Sequence, residues 1–181
     1  MDSLEEILSL DSNSVSRTIP KGTLLQSAGS KSNRAFYVIK GLLRSYTIDQ
    51  KGKEHLFMFA AEGWLMADVE SQEFDQPAAL FIDFLEDTEL VVFDRTCFKI
   101  ANLSVEQLRR NAHLLARRTA VLQRRVIMLM SASAKDRYQH FLKTYPKLPN
   151  RVPQRMIASY LGITPQALST IRGRLSKNIL P

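Results

Sequence analysis

From Ser16 to about Asp94, short apolar and β-branched runs alternate with turn residues such as Lys40-Gly41 and Glu62-Gly63. Short runs at near-regular spacing, bounded by such turns, are typical of antiparallel strands. We therefore predict a small antiparallel barrel or roll, and an open sandwich would use the same signals. Residues 2–10 have the pattern of a short helix or arm. The predicted strands are Thr23–Gln26, Ala35–Ile39, Leu42–Ile48, His55–Phe59, Ala79–Phe84 and Leu90–Phe93.

Residues 104–133 follow a seven-residue period instead. Leucines recur every seven residues, a second line of small or apolar residues lies four positions after each, and the segment contains no Gly or Pro. Such a heptad seam predicts one long helix that pairs with a second copy of itself. A helix packed only on its own domain would show a similar stripe, and further apolar residues predict that its other side lies against the β-part. The predicted dimer-interface residues are Leu108, Leu115, Leu122, Val126 and Leu129.

The last thirty residues have the pattern of two short amphipathic helices joined by a tight turn, at 152–175. Gly162 suits a left-handed turn residue, and Thr164-Pro165 is a typical helix start. A further helix at 134–146 and an extended, proline-rich connector at 146–153 are predicted ahead of them. The second helix of such a helix-turn-helix can lie in the major groove of DNA.

The charge distribution favours nucleic acid as the partner of this segment. Residues 1–98 hold 9 Lys/Arg and 16 Asp/Glu, a net charge of −7, whereas residues 99–181 hold 16 Lys/Arg and 2 Asp/Glu, a net charge of +14. Two halves of opposite charge suggest domains with different partners, and a basic segment that contains a helix-turn-helix suits phosphate. An acidic partner protein would also suit a cationic surface.

Several classes of function are disfavoured by composition. Cys97 is the single cysteine, so neither an internal disulfide nor a cysteine-rich metal site can form within one chain. The acidic start lacks the basic region of a secretory signal, and no apolar run approaches the roughly 20 residues that span a bilayer. We therefore expect a cytoplasmic protein with no membrane association, no cofactor and no metal.

The arrangement resembles the Crp/Fnr family of bacterial transcription regulators, especially its short Bacteroidetes-type members. The carrying text is IPKGTLLQSAG, then RAFYVIKGLLRSYTIDQKGKEHLFMFAAEGW, then the leucine-heptad helix and the helix-turn-helix. The resemblance implies an α+β fold in three segments. These are an N-terminal antiparallel β-roll of the double-stranded β-helix type, similar to a cyclic-nucleotide-binding domain (1–103), a dimerisation helix (104–133) and a DNA-binding helix-turn-helix (134–181).

The roll departs from the nucleotide-binding members of that family. Those members hold the cyclic phosphate with a glycine–glutamate pair and, about ten residues later, an arginine and a small hydroxyl residue. Here Ala67 and Asp68 stand at the pair, and Pro77 or Ala78 stands at the arginine. Because a buried phosphate needs a charge-assisted partner, we predict no tight binding of cyclic AMP or cyclic GMP. An effector of unassigned chemistry would meet Trp64, Ala67, Asp68 and Ala78.

The second helix of the helix-turn-helix also departs from the family pattern, which has a basic residue, a Glu and a later arginine. Gln166, Ser169 and Thr170 are therefore the candidates for base edges, since glutamine can pair with adenine and the threonine methyl can meet thymine. We expect a palindromic duplex site for the dimer. The remaining DNA-binding candidates are Thr164 at the helix start and, for phosphates, Arg172, Arg174, Arg155 and Arg151.

Two alternatives stay open at this stage. A cupin-type metal enzyme would need two or three histidines and a carboxylate inside the barrel, and only His55 lies in that region. An interaction protein with a decayed helix-turn-helix would bind an acidic partner instead of DNA. No catalytic constellation is apparent, so we predict that the protein is not an enzyme.

Overall fold

The computed structural model describes residues 14–31, 34–94 and 104–177. The predicted N-terminal helix at 2–10 lies outside the described residues. The chain divides into two compact units, residues 1–116 and residues 117–181, and their boundary falls inside the long helix. The division into three functional segments at 103/104 and 133/134 remains a prediction.

The first unit is built from eight strands and one short helix. The strands are β1 (Val15–Ile19), β2 (Leu24–Gln26), β3 (Arg34–Lys40), β4 (Leu43–Ile48), β5 (Glu54–Ala60), β6 (Leu65–Ala67), β7 (Phe81–Phe84) and β8 (Thr88–Asp94), with helix α1 (Val69–Glu73) after β6.

The strands form two four-stranded antiparallel sheets, in the orders β1-β8-β3-β6 and β2-β7-β4-β5. Consecutive strands therefore often lie in different sheets, which is the arrangement of a roll and confirms the predicted fold class. The core that the two sheets share contains Val38 and Leu90 from the first sheet and Leu43, Ile82 and Phe84 from the second. Burial of these side chains is the main force that holds the sheets together.

Strand β3 is buried on both faces. Phe36 and Val38 face the shared core, whereas Ala35 and Tyr37 belong to a second cluster against which Leu114 of the long helix packs. The helix therefore covers the outer face of this sheet, as predicted for one side of the heptad segment. Both-sided burial also explains why the β3 sequence reads as a continuous apolar run.

The β3–β4 turn approaches the start of β8 closely. Gly41 has a φ of +108°, and a Cβ there would lie 2.7 Å from Thr88 Cα and 2.8 Å from the Asp87 carbonyl oxygen. Thr88, itself fully buried, accepts a hydrogen bond of 3.1 Å from the Leu42 N–H on its hydroxyl. Only glycine fits this contact, which fixes the end of one strand pair against the next.

The strand predictions were incomplete at the edges of the roll. The six predicted strands are present with shifted ends, but β1, β6 and α1 were not predicted. Strand β1 (VSRTI) is an exposed edge strand, and β6 has only three residues, so neither carries the two-residue burial pattern over enough length to be recognised.

The remaining helices follow the predicted order. They are α2 (Val105–Ser131), α3 (Ala134–Thr144), α4 (Gln154–Leu161) and α5 (Pro165–Lys177). Ser104 and Gln107 cap the start of α2 reciprocally: the Gln107 N–H donates to Ser104 Oγ and the Ser104 N–H to Gln107 Oε1, at 3.2 and 2.8 Å. The connector between α3 and α4 is not fully extended, because Leu148–Asn150 form a 3₁₀ turn with Leu148 buried.

Candidate functional site

The second unit joins α4 to α5 through a tight turn. Gly162 ends α4 with a φ of +65°, in the left-handed region, and its N–H donates to the Ser159 carbonyl. Thr164 Oγ1 accepts a hydrogen bond of 3.2 Å from the Ala167 N–H, which caps the start of α5. Leu168 is fully buried, so it anchors α5 against α3 and α4. The side of α5 opposite Leu168 therefore faces solvent.

One face of α5 is exposed and polar. Gln166, Ser169, Thr170 and Gly173 are all exposed, and their spacing of three, four and seven residues puts them on one side of the helix. The Thr170 hydroxyl donates to the Gln166 carbonyl at 3.0 Å, which leaves its oxygen lone pairs and its methyl group for a partner. A Cβ at Gly173 would meet nothing within 4 Å. This face therefore presents hydroxyl and amide groups to solvent with no bulky side chain at Gly173.

Of the predicted phosphate-binding arginines, Arg172 and Arg174 lie on α5 beside that face, Arg155 lies on α4, and Arg151 lies just before α4. Arg174 and Arg155 are exposed, whereas Arg172 and Arg151 are half-buried. Arg172 comes three residues after Ser169, and Arg174 comes four residues after Thr170. At about 100° per residue, this spacing puts the two arginines on opposite sides of the polar face. Glu106 and Asp136 are the only acids from residue 99 onward, so carboxylates cannot neutralise most of this charge.

The heptad seam of α2 is exposed in the single chain. Leu115 and Leu129 are 58% and 40% exposed, with Leu122 and Val126 between these values, and Leu108 is half-buried. Exposed apolar side chains in one continuous stripe are rare on a monomeric protein and mark an interaction surface. The stripe lies on a different side of α2 from Leu114, which packs on the roll.

Two arginines that the sequence analysis did not assign hold the carboxyl end of α4. Arg125 of α2 lies flat on the Tyr160 ring, 4.2 Å from its centroid, with Nη2 3.5 Å from the Tyr160 carbonyl oxygen. Arg137 of α3 donates from Nη1 to the Leu161 carbonyl at 2.8 Å and from Nε to the Ala132 carbonyl at 3.1 Å. We call this set the arginine clamp. Its residues are far apart in sequence, so no local pattern could have revealed it.

In the roll, the carboxylate of Asp68 is buried and fully used. Its Oδ1 accepts from the Ser71 N–H at 3.2 Å and caps α1. Its Oδ2 accepts from the Ala79 and Leu80 N–H groups, both at 3.1 Å, and from Gln26 Nε2 at 3.2 Å. Asp68 is 1% exposed, so these four bonds take the place of water. The N–H groups of this loop are therefore already hydrogen-bonded to a carboxylate of the protein itself.

The other predicted effector residues have structural contacts of their own. Trp64 packs against the core between the sheets, and Ala67 pairs with Ala35 in the β3–β6 ladder. Ala78 is buried, and its N–H donates to the Ser30 carbonyl at 2.8 Å. Each of these residues therefore has a structural role in the roll, and an effector site formed by them remains a prediction.

Arg44, on strand β4 of the roll, is already paired with carboxylates. Arg44 donates to both carboxylate oxygens of Asp83 at 2.8 Å and to Glu54, and it lies 4.1 Å from the centroid of the Tyr46 ring. Burial alone would lower the pKa of Arg44, but the hydrogen bonds and charges of Asp83 and Glu54 outweigh it and raise that pKa. Arg44 is therefore committed to a local ion pair.

The roll also shows where His55 lies. Its Nε2 is 2.8 Å from Asp49 Oδ2 in the β4–β5 turn, and both side chains are well exposed to solvent. The His55 contact, together with hydrogen bonds from Lys53 and Lys51 backbone N–H groups, lowers the pKa of Asp49. Within residues 14–31, 34–94 and 104–177, no group of three metal-ligating side chains converges. In that same part of the chain, no helix is long and apolar enough to cross a bilayer.

Known proteins are similar to this chain in the roll and over most of its length. Residues 16–101 match the family model of the cyclic nucleotide-binding domain. FixK2 from Bradyrhizobium japonicum superimposes with a TM-score of 0.77 at 18% identity, over 91% of this chain and 85% of that one. No curated relative matches the sequence.

Two regulators are similar over a comparable length. A transcriptional regulator of the CRP/FNR family from Thermus thermophilus gives a TM-score of 0.71 at 19% identity, over 91% of this chain and 87% of that one. The c-di-GMP-responsive global regulator CLP from Xanthomonas campestris gives 0.70 at 16% identity, over 97% and 91%. The chain has the Crp/Fnr fold. The resemblance read from the sequence is thus confirmed at the level of the fold.

Replacement of Asp68 by asparagine tests whether its carboxylate is the internal anion of the roll. The amide offers one oxygen where two accept now, and its NH₂ group would face N–H donors. Because an unsatisfied buried group costs about 1–3 kcal/mol, Asp68→Asn should lower the free energy of unfolding by that amount in urea titrations. Asp75→Asn is the control, since Asp75 is exposed in the same loop and its left-handed φ of +51° suits asparagine. Equal stability of the two variants would contradict the assignment.

Proposed function

We propose that this chain is a homodimeric, DNA-binding transcription regulator rather than an enzyme. The observation that carries the proposal is the exposed polar face of α5, flanked by arginines, in a segment that has 16 basic and 2 acidic residues. A helix of about 10–12 Å diameter fits the major groove, and the positive charge around it would be attracted to phosphate.

In the proposed complex, the polar face of α5 reads base edges. Gln166 would donate to and accept from adenine, and Ser169 and Thr170 can each contact a neighbouring base. Thr164 at the helix start, Arg155 on α4, and Arg172 and Arg174 beside the polar face would contact the sugar–phosphate backbone. These arginine contacts set affinity, and the uncharged residues set sequence preference.

The exposed seam of α2 supports the dimeric part of the proposal. Pairing of two seams would bury the leucines and Val126 and would relate the two α5 helices by a two-fold axis. The preferred site is then palindromic, with half-sites about 34–36 Å apart, one turn of the duplex.

The roll serves as a sensor-like or supporting domain that does not take cyclic AMP or cyclic GMP. The Asp68 carboxylate supports this part, because it already accepts from the loop amides and would repel a phosphate brought to them. An effector other than these nucleotides would have to bind the roll through groups other than a phosphate. It would act by changing the relative placement of the two α5 helices.

Nucleotide binding is tested directly by titration calorimetry. We expect no binding of cyclic AMP or cyclic GMP at micromolar concentration, since the buried Asp68 carboxylate already accepts from the Ala79 and Leu80 N–H groups and would repel a phosphate there. Heat with a micromolar dissociation constant for either nucleotide would overturn this prediction, whatever the DNA-binding result.

Disruption of the seam should yield monomers. Leu122→Glu puts two carboxylates opposite each other at a site that would be apolar in the dimer, which should raise the dissociation constant of the dimer about a hundredfold or more. Sedimentation velocity measures this. Ala120→Glu is the control, because Ala120 is exposed on nearly the opposite side of α2. A wild-type chain that sediments as a monomer at all concentrations would refute the dimer.

Base reading by α5 is tested with a site selected from random duplex DNA. Gln166→Ala should weaken binding to the selected palindrome by about 1–3 kcal/mol, roughly 5–150-fold, and should leave non-specific binding and its salt dependence unchanged. Gln139→Ala, an exposed position on α3, is the matched control. No enrichment of any palindrome at low salt would instead favour an interaction protein with a decayed helix-turn-helix.

A further inference from the structure

The carboxyl end of α4 concentrates hydrogen-bond acceptors without a carboxylate. The last carbonyls of a helix have no partner inside it, and the helix dipole places about half a negative charge there. Gly162 and Ile163 donate to the Ser159 and Ala158 carbonyls, whereas the Tyr160 and Leu161 carbonyls face Arg125 and Arg137. Two guanidinium groups therefore meet the negative end of the first helix of the helix-turn-helix.

The two arginines come from two different elements. Arg125 belongs to the last turns of α2, and Arg137 belongs to α3 and also binds the Ala132 carbonyl at the α2–α3 junction. Leu129 of the seam lies close to the turn, since its Cδ2 is 3.6 Å from the position that a Cβ on Gly162 would take. The arginine clamp thus ties the end of the seam helix to the turn that starts α5.

The surroundings of Arg125 are those of a packed side chain. Its guanidinium lies on Tyr160, which contacts Tyr145 edge-on at 5.8 Å and Phe141 at 5.5 Å between ring centroids. Burial lowers the pKa of Arg125 and raises the pKa values of Tyr145 and Tyr160. A planar guanidinium can stack on a ring and donate in its own plane at once, which a lysine cannot do.

We propose that Arg125 and Arg137 are positioning residues for DNA recognition: they fix the direction of α5 relative to the seam end of α2, and so set the half-site spacing that the dimer accepts. They are not phosphate ligands. This inference rests on the proposed function, and it adds a determinant of spacing that lies away from the DNA-facing side of α5.

Arg125→Lys is the discriminating variant, because it keeps the charge and removes the stack. We expect it to bind the best-spaced palindrome about tenfold more weakly, equivalent to about 1.4 kcal/mol, and to lose most of its preference over palindromes one base pair longer or shorter. The salt dependence should not change. Arg124→Lys, at the exposed neighbouring position, should behave like the wild type. The measurement is binding to a series of palindromes that differ only in spacer length.

A phosphate contact would give the opposite pattern. Arg125→Lys would then retain the spacing preference, and Arg125→Ala would flatten the salt slope by about one. Tyr160→Leu serves as a second variant should the lysine variant unfold. It should reproduce the loss of spacing preference, and the double variant should lose no more than either single change, because both remove the same contact.

A measurement without DNA separates this inference from the proposed function. Spin labels at Ser169→Cys, in a Cys97→Ser background, report the distance between the two α5 helices of a dimer. Arg125→Lys should broaden that distance distribution, and Arg124→Lys should not. An unchanged distribution with unchanged spacing preference overturns the clamp while DNA binding stands. A broadened distribution, combined with an unlabelled wild type that selects no DNA, overturns the proposed function alone, and a monomeric wild type overturns both.

Discussion

The shortage of carboxylates in residues 99–181 governs how the second unit is built. Sixteen cationic side chains share this segment with Glu106 and Asp136 alone, so ion pairs can neutralise only a small part of the charge. An arginine that packs against the protein must find other partners, because an uncompensated buried charge is costly. Arg125 and Arg137 find them in helix-end carbonyls and an aromatic ring. Arginines such as Arg155 and Arg174 stay exposed to water, and in the proposed regulator they would meet phosphate.

The roll has the opposite charge, because acidic residues outnumber basic ones in it. The buried Asp68 and the half-buried Asp83 are each matched to donors within the fold: Asp83 binds the guanidinium of Arg44, and Asp68 accepts from three backbone N–H groups and from Gln26. A loop that would otherwise have free amides for an incoming anion is thus closed by one of its own side chains. The same chain therefore pairs its buried anions within the roll, whereas residues 99–181 hold far more cations than carboxylates.

Periodicity predicted most of the fold because it depends on local burial. The heptads of α2 and the two helices around Gly162 were predictable from spacing, and so were the six longer strands. Strands β1 and β6 were not, since an exposed edge and a three-residue strand bury too little to leave a pattern. The roles of Asp68 and Arg125 depend on partners 11 or more residues away along the chain, and only the packed structure brings these together.

The proposed determinant of half-site spacing, the arginine clamp, lies at the end of α4 and not on α5 for a physical reason. In the proposed complex, residues that face DNA must remain free in the absence of DNA, so they cannot also hold α5 in one direction. That restraint has to come from the buried side of the unit, where Leu168 fixes the rotation of α5 and the arginine clamp fixes the preceding turn. Leu129 belongs to the seam and also lies close to this turn. In a dimer it would be held from two sides, so pairing of the seams would itself stiffen the position from which each α5 projects.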